Sequence, residues 1–297
     1  MPSEVDRSYE LKGSEELGAG LKRVAATRAE KALERLRGNG EDPAEAIHGA
    51  RKDMKKLRAV LRMARGSLPQ RLYKEENRRY RDAAQALSAS RDAEVKLKTL
   101  DALGERDGGL PREAIETWRQ ILDRDREAAV NTAHAEAAIG LIEEGLRGIQ
   151  SWPLEGDSWK LVGGEVKRAY RRGHRAMAIA AADQSEESFH DWRKRAKDLW
   201  YQLRLLGPAW SGPLGAAAEE AHRLTNLLGD HHDLAVLRQD LGERQLGEEE
   251  TQALEAAIDA RQAQLAVEAF ALGRRLYAEP PKAYGRRLRR YWQAWRG

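Results

Sequence analysis

Apolar residues recur along the chain at three- and four-residue intervals, the spacing of one face of an α-helix, and no stretch alternates convincingly at period two. Ala, Leu, Glu and Arg dominate and β-branched residues are sparse, so local propensity agrees with the periodicity. Gly and Pro punctuate the pattern. They mark expected helices at 14–37, 43–65, from the Gly66–Pro69 turn to about Ser88, and from an Asp92 cap to Leu103. Further helices are expected from Pro111 to about Arg147 and at 158–182, 185–206, 214–228, 231–242, 248–278 and 281–296. Asp42-Pro43 supplies an N-cap and a first-turn proline, and Pro280-Pro281 separates the last two helices. The fold class is all-α.

An internal repeat organises these helices. With a shift of 142, His48-x-x-Arg51-Lys52-x-x-Lys55-x-Leu57 falls on His190-x-x-Arg193-Lys194-x-x-Lys197-x-Leu199, and Leu61-Arg62 falls on Leu203-Arg204. With a shift of 141, Leu87…Arg91-Asp92-x-x-Val95 meets Leu228…His232-Asp233-x-x-Val236. A nearly fixed offset implies duplication into two helical halves in contact around a pseudo-twofold axis. The expected organisation is one domain over 14–297, with a half at 14–150, a hinge at 151–157 and a half at 158–297, and with 1–13 disordered.

Composition removes several classes of function. Without cysteine there is no disulfide scaffold, Cys-ligated zinc site or thiol nucleophile. No apolar run approaches the ~20 residues of a membrane span, and the polar, acidic start does not resemble a secretory signal, so a cytoplasmic protein is expected. The formal net charge of +4 conceals strong segregation. Segments 48–65, 165–175, 190–204 and 282–296 carry +6, +4, +3 and +6, which leaves about −15 on the remainder. Such concentration suggests a surface facing a polyanion.

On a helical wheel, His48, Arg51, Lys52, Lys55 and Arg62 gather on one side of 48–65, opposite Met54, Leu57 and Leu61. His190, Arg193, Lys194, Lys197, Tyr201 and Arg204 do the same opposite Trp192, Leu199 and Leu203. The apolar sides are core. The basic sides are costlier, because like charges three and four residues apart destabilise a helix and a merely solvated face normally mixes signs. Two unmixed copies point to a binding surface for a dense anion with repeated oxygens. Arg forks grip phosphate in pairs of bonds, Lys adds point charge, and a His on the same face becomes cationic near neutral pH beside bound phosphate. The 38 Arg against 14 Lys fit that chemistry.

These paired motifs resemble the CHAD domain (conserved histidine α-helical domain). The resemblance runs over about 14–296 and includes Tyr170-Arg171-Arg172-Gly173-His174-Arg175, Leu228-Gly229-Asp230-His231-His232-Asp233, and the ending Leu276-Tyr277…Tyr291-Trp292…Trp295. It implies two four-helix-bundle halves around a basic central pore or groove that binds inorganic polyphosphate. By position it carries that role to His48, Arg51, Lys52, Lys55, His190, Arg193, Lys194 and Lys197, and to Tyr170, Arg171 and Arg175. The triphosphate tunnel domain often fused to this family has an E-x-E-x-K signature; only Glu10-Leu11-Lys12 is present, so a stand-alone CHAD protein is expected. In the first half, the region around Arg28 is mixed with Glu30 and Glu34 and shows no clear Tyr-Arg-Arg stretch.

No catalytic residue, cofactor or metal is expected. A metal-dependent phosphohydrolase using His222, His231, His232, Asp233 and Asp240 is the alternative, weakened because Arg91, which cannot bind a metal, replaces His232 in the first copy. Nucleic acid is the second alternative, as a weak or non-specific partner of the basic groove. Most Trp and Tyr fall on apolar faces, where they cannot stack on bases. Association with polyphosphate granules is compatible with binding.

Overall fold

The computed structural model describes residues 6–38, 40–87, 89–106, 112–128, 133–242 and 247–297, all helix and connections without a strand. In chain order the helices are α1 (Leu17–Leu36), α2 (Pro43–Ala64), α3 (Gln70–Ala86), α4 (Ala89–Arg106), α5 (Arg112–Ala128) and α6 (Ala133–Ile149). After the connector follow α7 (Lys160–Asp183), α8 (Glu186–Leu206), α9 (Ser211–Gly242), α10 (Glu248–Leu276) and α11 (Pro281–Arg296). Both helices that carry the repeated motif start on a side-chain cap. Asp42 accepts from the N–H groups of Ala44 (2.9 Å) and Glu45 (3.2 Å), and Ser185 accepts from Ser188 (3.2 Å).

Three boundaries differ from those expected. Helix α4 begins at Ala89, so Asp92 lies inside it and not at its start. The apolar run 111–147 contains two helices, α5 and α6. Conversely, α9 is continuous where a break was expected near Leu228-Gly229-Asp230. Gly229 is buried inside the helix with the Arg193 guanidinium lying across it, so the glycine marks a close neighbour and not a turn. Gly212-Pro213 sits in the first turn of α9, where a missing N–H costs nothing.

The cores do not divide at the connector. One gathers residues of α1, α2, α3, α6, α7, α8, α11, the first half of α9 and the end of α10. A second joins Leu97, Leu100 and Leu103 of α4 and Trp118 and Leu122 of α5 to Leu234, Leu237 and Leu241 of α9 and Leu254, Ile258 and Leu265 of α10. Helix α9 thus packs on one core with its first half and on the other with its second. The expected hinge at 151–157 is instead a packed connector: Trp152 and Leu154 are buried, Asp157 accepts from the N–H of Leu17 (3.0 Å), and Arg296 pairs with Asp157 at 2.8 Å. Gly18 lies so close against the backbone of Leu154 and Glu155 that no side chain would fit between them.

Residues 6–13 are packed too, contrary to the expected disorder of 1–13. Tyr9 and Leu11 are buried, and the N–H of Leu11 donates to the carbonyl of Leu205 (3.2 Å). Asp6 reaches Arg28 at 2.6 Å, Lys56 at 2.7 Å and Lys31 at 3.6 Å. Burial alone would raise the Asp6 carboxyl, but hydrogen bonds from Lys56, Ser8 and Arg28 carry it well below the usual carboxylate range. Arg28, 1% exposed, also pairs with buried Asp53 at 3.0 Å. Asp53 is pushed up, by burial first and against the attraction of Arg28, Lys56 and Arg35.

Removing one member of this network strands the others. Arg28→Ala is expected to cost about 3 kcal/mol in chemical denaturation, because buried Asp53 loses its closest cation and keeps only Arg35 at 3.6 Å and Lys56 at 4.0 Å. Adding Asp53→Ala to that variant should recover part of the loss. Simple additivity in the double-mutant cycle would contradict the pairing.

Candidate functional site

Helices α2 and α8 pack against each other, and α9 packs on α8, which brings the two basic faces to a common space. Their convergence is visible at His222 of α9. Its imidazole is pushed below its ordinary value by burial and then by Arg204, Lys52 and Lys197, so cations from both motif helices face one histidine. The ring stacks on Trp200 at 4.3 Å, and the Arg204 guanidinium lies 5.6 Å from the Trp200 ring centroid and 5.5 Å from that of Tyr9.

Farther along α8, His190 faces His232 at 4.3 Å. Burial pushes both down to about 4. For His190 the next causes are His232, Lys194 and Arg193; for His232 they are Arg193 and Lys197. His190 is therefore neutral near pH 7 in the unliganded protein, and the expected cationic form belongs to the phosphate-bound state. Burial is the first cause, and the neighbouring cations Lys194 and Arg193, which a polyanion would neutralise, add to it.

On the α1 side, His48, Lys52 and Lys56 line an open cleft of about 910 Å³ with Arg28, Lys31 and Arg35 of α1, Arg7 and Lys98. Carboxylates of Asp6, Glu41, Glu45, Asp53 and Glu94 share its wall. Several are already engaged: Asp6 and Asp53 by Arg28, and Glu41 by Arg35 at 2.6 Å. Lys52 is exposed, whereas Arg51 donates to the carbonyl of Leu87 (2.7 Å) and so anchors the end of α3. Lys55 and Lys197 are half-buried on the same helix faces, and Lys194 is exposed.

A smaller pocket of about 180 Å³ opens between α2, α7 and α8. Arg62, Arg65, Arg168, Arg172 and Arg195 line it, with Asp198 and Glu165. Arg62 pairs with Asp198 at 2.7 Å and thereby ties α2 to α8, while Arg195 approaches the other oxygen at 3.6 Å.

Of the expected site residues, His48, Lys52, His190, Arg193, Lys194, Lys197 and Arg204 share this basic surface. Others do not belong to it. Tyr170 is buried, stacks on Tyr284 at 3.9 Å, and both donates to the carbonyl and accepts from the N–H of Glu279 (3.1 and 3.2 Å). It pins the turn between α10 and α11. Tyr201 is also core, edge-on to Tyr9 at 6.1 Å and pushed up to about 12 by burial. Arg171 and Arg175 are exposed on the outside of α7; Arg168 and Arg172 of the same stretch, also exposed, border the small pocket. The side chains of Arg91 and Asp92 lie outside the described ones.

Arg28, Lys31 and Arg35 escaped the sequence reading because Glu30 and Glu34 interrupt them in order. At 100° per residue the three cations fall within about 60° of one another, and the two exposed acids lie about 60–160° around the helix from them. The proposed metal set does not converge. His231 stacks on Phe189 at 4.1 Å, His232 faces His190, His222 faces Trp200, and Asp240 is engaged by Lys96 and by the indole N–H of Trp118 (3.1 Å). Among the described residues no group of three possible ligands forms, and no helix is long and apolar enough to cross a membrane.

Three histidines, His190, His231 and His232, sit at about 4 in the folded chain against 6.5 for the free group. Between those values the unfolded chain holds more protons, so stability falls as pH drops through that window and is level above it. The melting temperature should accordingly decline from pH 7 to pH 5, and His190→Gln should make the decline shallower. An unchanged melting temperature over that interval would contradict the burial of these rings.

The family profile of the CHAD domain matches residues 22–242, well over half of the chain. Among solved structures, "PptA from Streptomyces chartreusis" superposes with a TM-score of 0.65 at 16% identity, covering 89% of this chain and all of that one. The CHAD domain from the plant Ricinus communis superposes with a TM-score of 0.61 at 21% identity, covering 91% of this chain and 94% of that one. At such identities the two structures speak for the fold alone. Comparison with curated proteins finds no match. All-helical architecture, the extent of the profile match and the structural neighbours agree: the chain belongs to the CHAD domain family.

Proposed function

We propose that the protein binds inorganic polyphosphate, without catalysing its turnover, along the basic surface between α2 and α8. The observation that carries this reading is the packing of the two motif helices, tied by Arg62 to Asp198 at 2.7 Å, which sets Lys52 of one and Lys197 and Arg204 of the other around His222, itself stacked on Trp200. Each of these cations has a counterpart in the other motif, Lys52 in Lys194, Lys197 in Lys55 and Arg204 in Arg62, as a duplicated chain with a central basic groove would have. A polyphosphate chain offers about one negative charge per phosphate at close, regular spacing, and such a row of cations can follow it by releasing counterions.

Nucleic acid shares the charge but adds bases, and the aromatic groups here give bases little purchase. Trp200 is already stacked by His222 and approached by Arg204, and Tyr9 and Tyr201 are buried. Hydrolysis would ask His222, His231, His232 and Asp240 to converge, and each is committed to a different neighbour. With polyphosphate as ligand, the protein associates with polyphosphate granules in the cytoplasm.

Titration with polyphosphate of defined length, beside tripolyphosphate and single-stranded DNA at fixed salt, tests the reading. Long chains should bind tightest and yield no free phosphate. The double variant Lys52→Ala, Lys197→Ala should bind at least 10-fold more weakly with unchanged helicity, and its salt slope should fall by about 1.4 at roughly 0.7 per lost contact. Equal affinity for DNA, or wild-type binding by the variant, would refute it. Lys52 and Lys197 are the informative pair, because altering Arg51 also releases the end of α3.

A further inference from the structure

Two of the four basic segments, 165–175 and 282–296, are not absorbed by the surface between α2 and α8. The fold brings them together elsewhere. Helix α11 packs on α7 and on the 207–210 turn. The two helices approach closely where Gly285 meets Lys167: a Cβ on Gly285 would lie 3.4 Å from that of Lys167. Tyr170 of α7 and Tyr284 of α11 stack beneath this contact.

Outside the contact, Lys160, Lys167 and Arg171 of α7 run beside Lys282, Arg286 and Arg289 of α11, all six exposed. None has an ion-pair partner among the described residues. Helix α11 contains no acidic residue. Between Lys160 and Ala182 the sole acid of α7 is Glu165, which is buried and paired with Arg168 on another side of the helix. Holding two unmixed rows of cations against each other is unfavourable in the free protein, as it is on α2 and α8.

We infer that the exposed α7–α11 face is a second polyanion-binding surface that takes a further stretch of a base-free phosphate chain. The choice of occupant follows from what accompanies the charge. Membrane-docking faces join basic residues to apolar groups that enter the lipid, and single-stranded nucleic acid is held by aromatic platforms. This face has neither. Among the described residues the exposed large apolar side chains are Ile179, Trp210 and Val267. Ile179 lies about 80–120° around α7 from Arg171 and Lys167, and Val267 is on α10. Trp210 packs edge-on against Tyr291 at 4.7 Å, about 140–160° around α11 from Arg286 and Arg289. What remains is a rigid strip on which the α11 cations span about 10 Å and the α7 cations about 17 Å. A chain long enough to leave the α2–α8 surface would gain this strip as an intramolecular second contact, at high effective concentration. The inference rests on the polyphosphate reading above.

The test compares wild-type protein with the triple variant Lys167→Glu, Arg286→Glu, Arg289→Glu in binding a chain of about 8 phosphates and one of about 100. The result expected is unchanged affinity for the short chain and at least 10-fold weaker binding of the long chain. The long-chain salt slope should fall by about 2, for three contacts at roughly 0.7 each. The exposed positions should leave circular dichroism and melting unchanged, and the Gln version of the triple variant, which adds no negative charge, should show the same selective loss. If the triple variant binds the long chain like wild type, the second surface is overturned while the first stands. If wild type binds neither chain, the polyphosphate reading fails and this inference with it. Loss of binding to vesicles containing about 30% phosphatidylserine, with long-chain polyphosphate binding intact, would assign the face to a membrane and overturn the inference too.

Discussion

Like charges on neighbouring helices repel, so α2 and α8 keep their basic faces together only because their other faces are committed to the core. The repulsion is a few tenths of a kcal/mol for each pair three or four residues apart. Against it stand Met54, Leu57 and Leu61 on α2 and Trp192, Leu199 and Leu203 on α8, all buried. Each contributes about 1.5–3 kcal/mol when taken out of water. Burial wins by a wide margin, and the cationic surface is imposed by packing. A ligand that relieves the repulsion then binds to a site already arranged.

Two carboxylates keep the remaining charge from overwhelming that arrangement. Asp53 of α2 is engaged by Arg28 and approached by Arg35 and Lys56; Asp198 of α8 is engaged by Arg62 and approached by Arg195. In each helix the acid has a cation three residues away on its own chain, but the order is reversed, Asp53 before Lys56 and Arg195 before Asp198. Both acids neutralise cations at the edge of the core, and the outward row beginning at His48 or His190 keeps its excess. The N-terminal segment has the same office at the cleft, where Asp6 meets Arg28, Lys31 and Lys56.

Helix identity was legible because apolar periodicity over two or more turns is decided locally. The start of α2 followed from the Asp42 cap, whose hydrogen bonds are also local, whereas the expected Asp92 cap lies inside α4. The failures were tertiary. Gly229 looks like a break in sequence, yet its neighbour in space is Arg193, a residue 36 positions away. Residues 6–13 carry no periodic signal, and they are ordered by partners such as Leu205 and Lys56 that only the fold supplies. Tyr170 and Tyr201 share the basic stretches of the sequence but turn their rings inward, because the polar neighbour in sequence need not be the neighbour in space. Arg28, Lys31 and Arg35 show the converse, a basic face hidden by two exposed glutamates between them.

The excess of Arg over Lys takes on a different meaning once partners are known. As a composition it suggested phosphate recognition. In the fold, many arginines near the site are committed internally: Arg28 to Asp6 and Asp53, Arg35 to Glu41, Arg62 to Asp198, and Arg51 to a helix terminus. A planar guanidinium suits such buried pairs, since it can donate several fixed bonds with weaker hydration to lose. Exposed Lys52 and Lys194 stand at the outer edge of the two motif faces. A flexible ammonium there can follow a ligand whose phosphates have no fixed register, which a rigid fork would select against. The division of labour therefore places geometry in arginine and ligand adaptability in lysine. It also explains why a basic stretch counted along the chain overstates the charge that reaches solvent in the interior of the fold. On the outside of α7 and α11, Arg287 and Arg296 are offset by Glu279 and Asp157, whereas Arg171, Arg286 and Arg289 present their full charge.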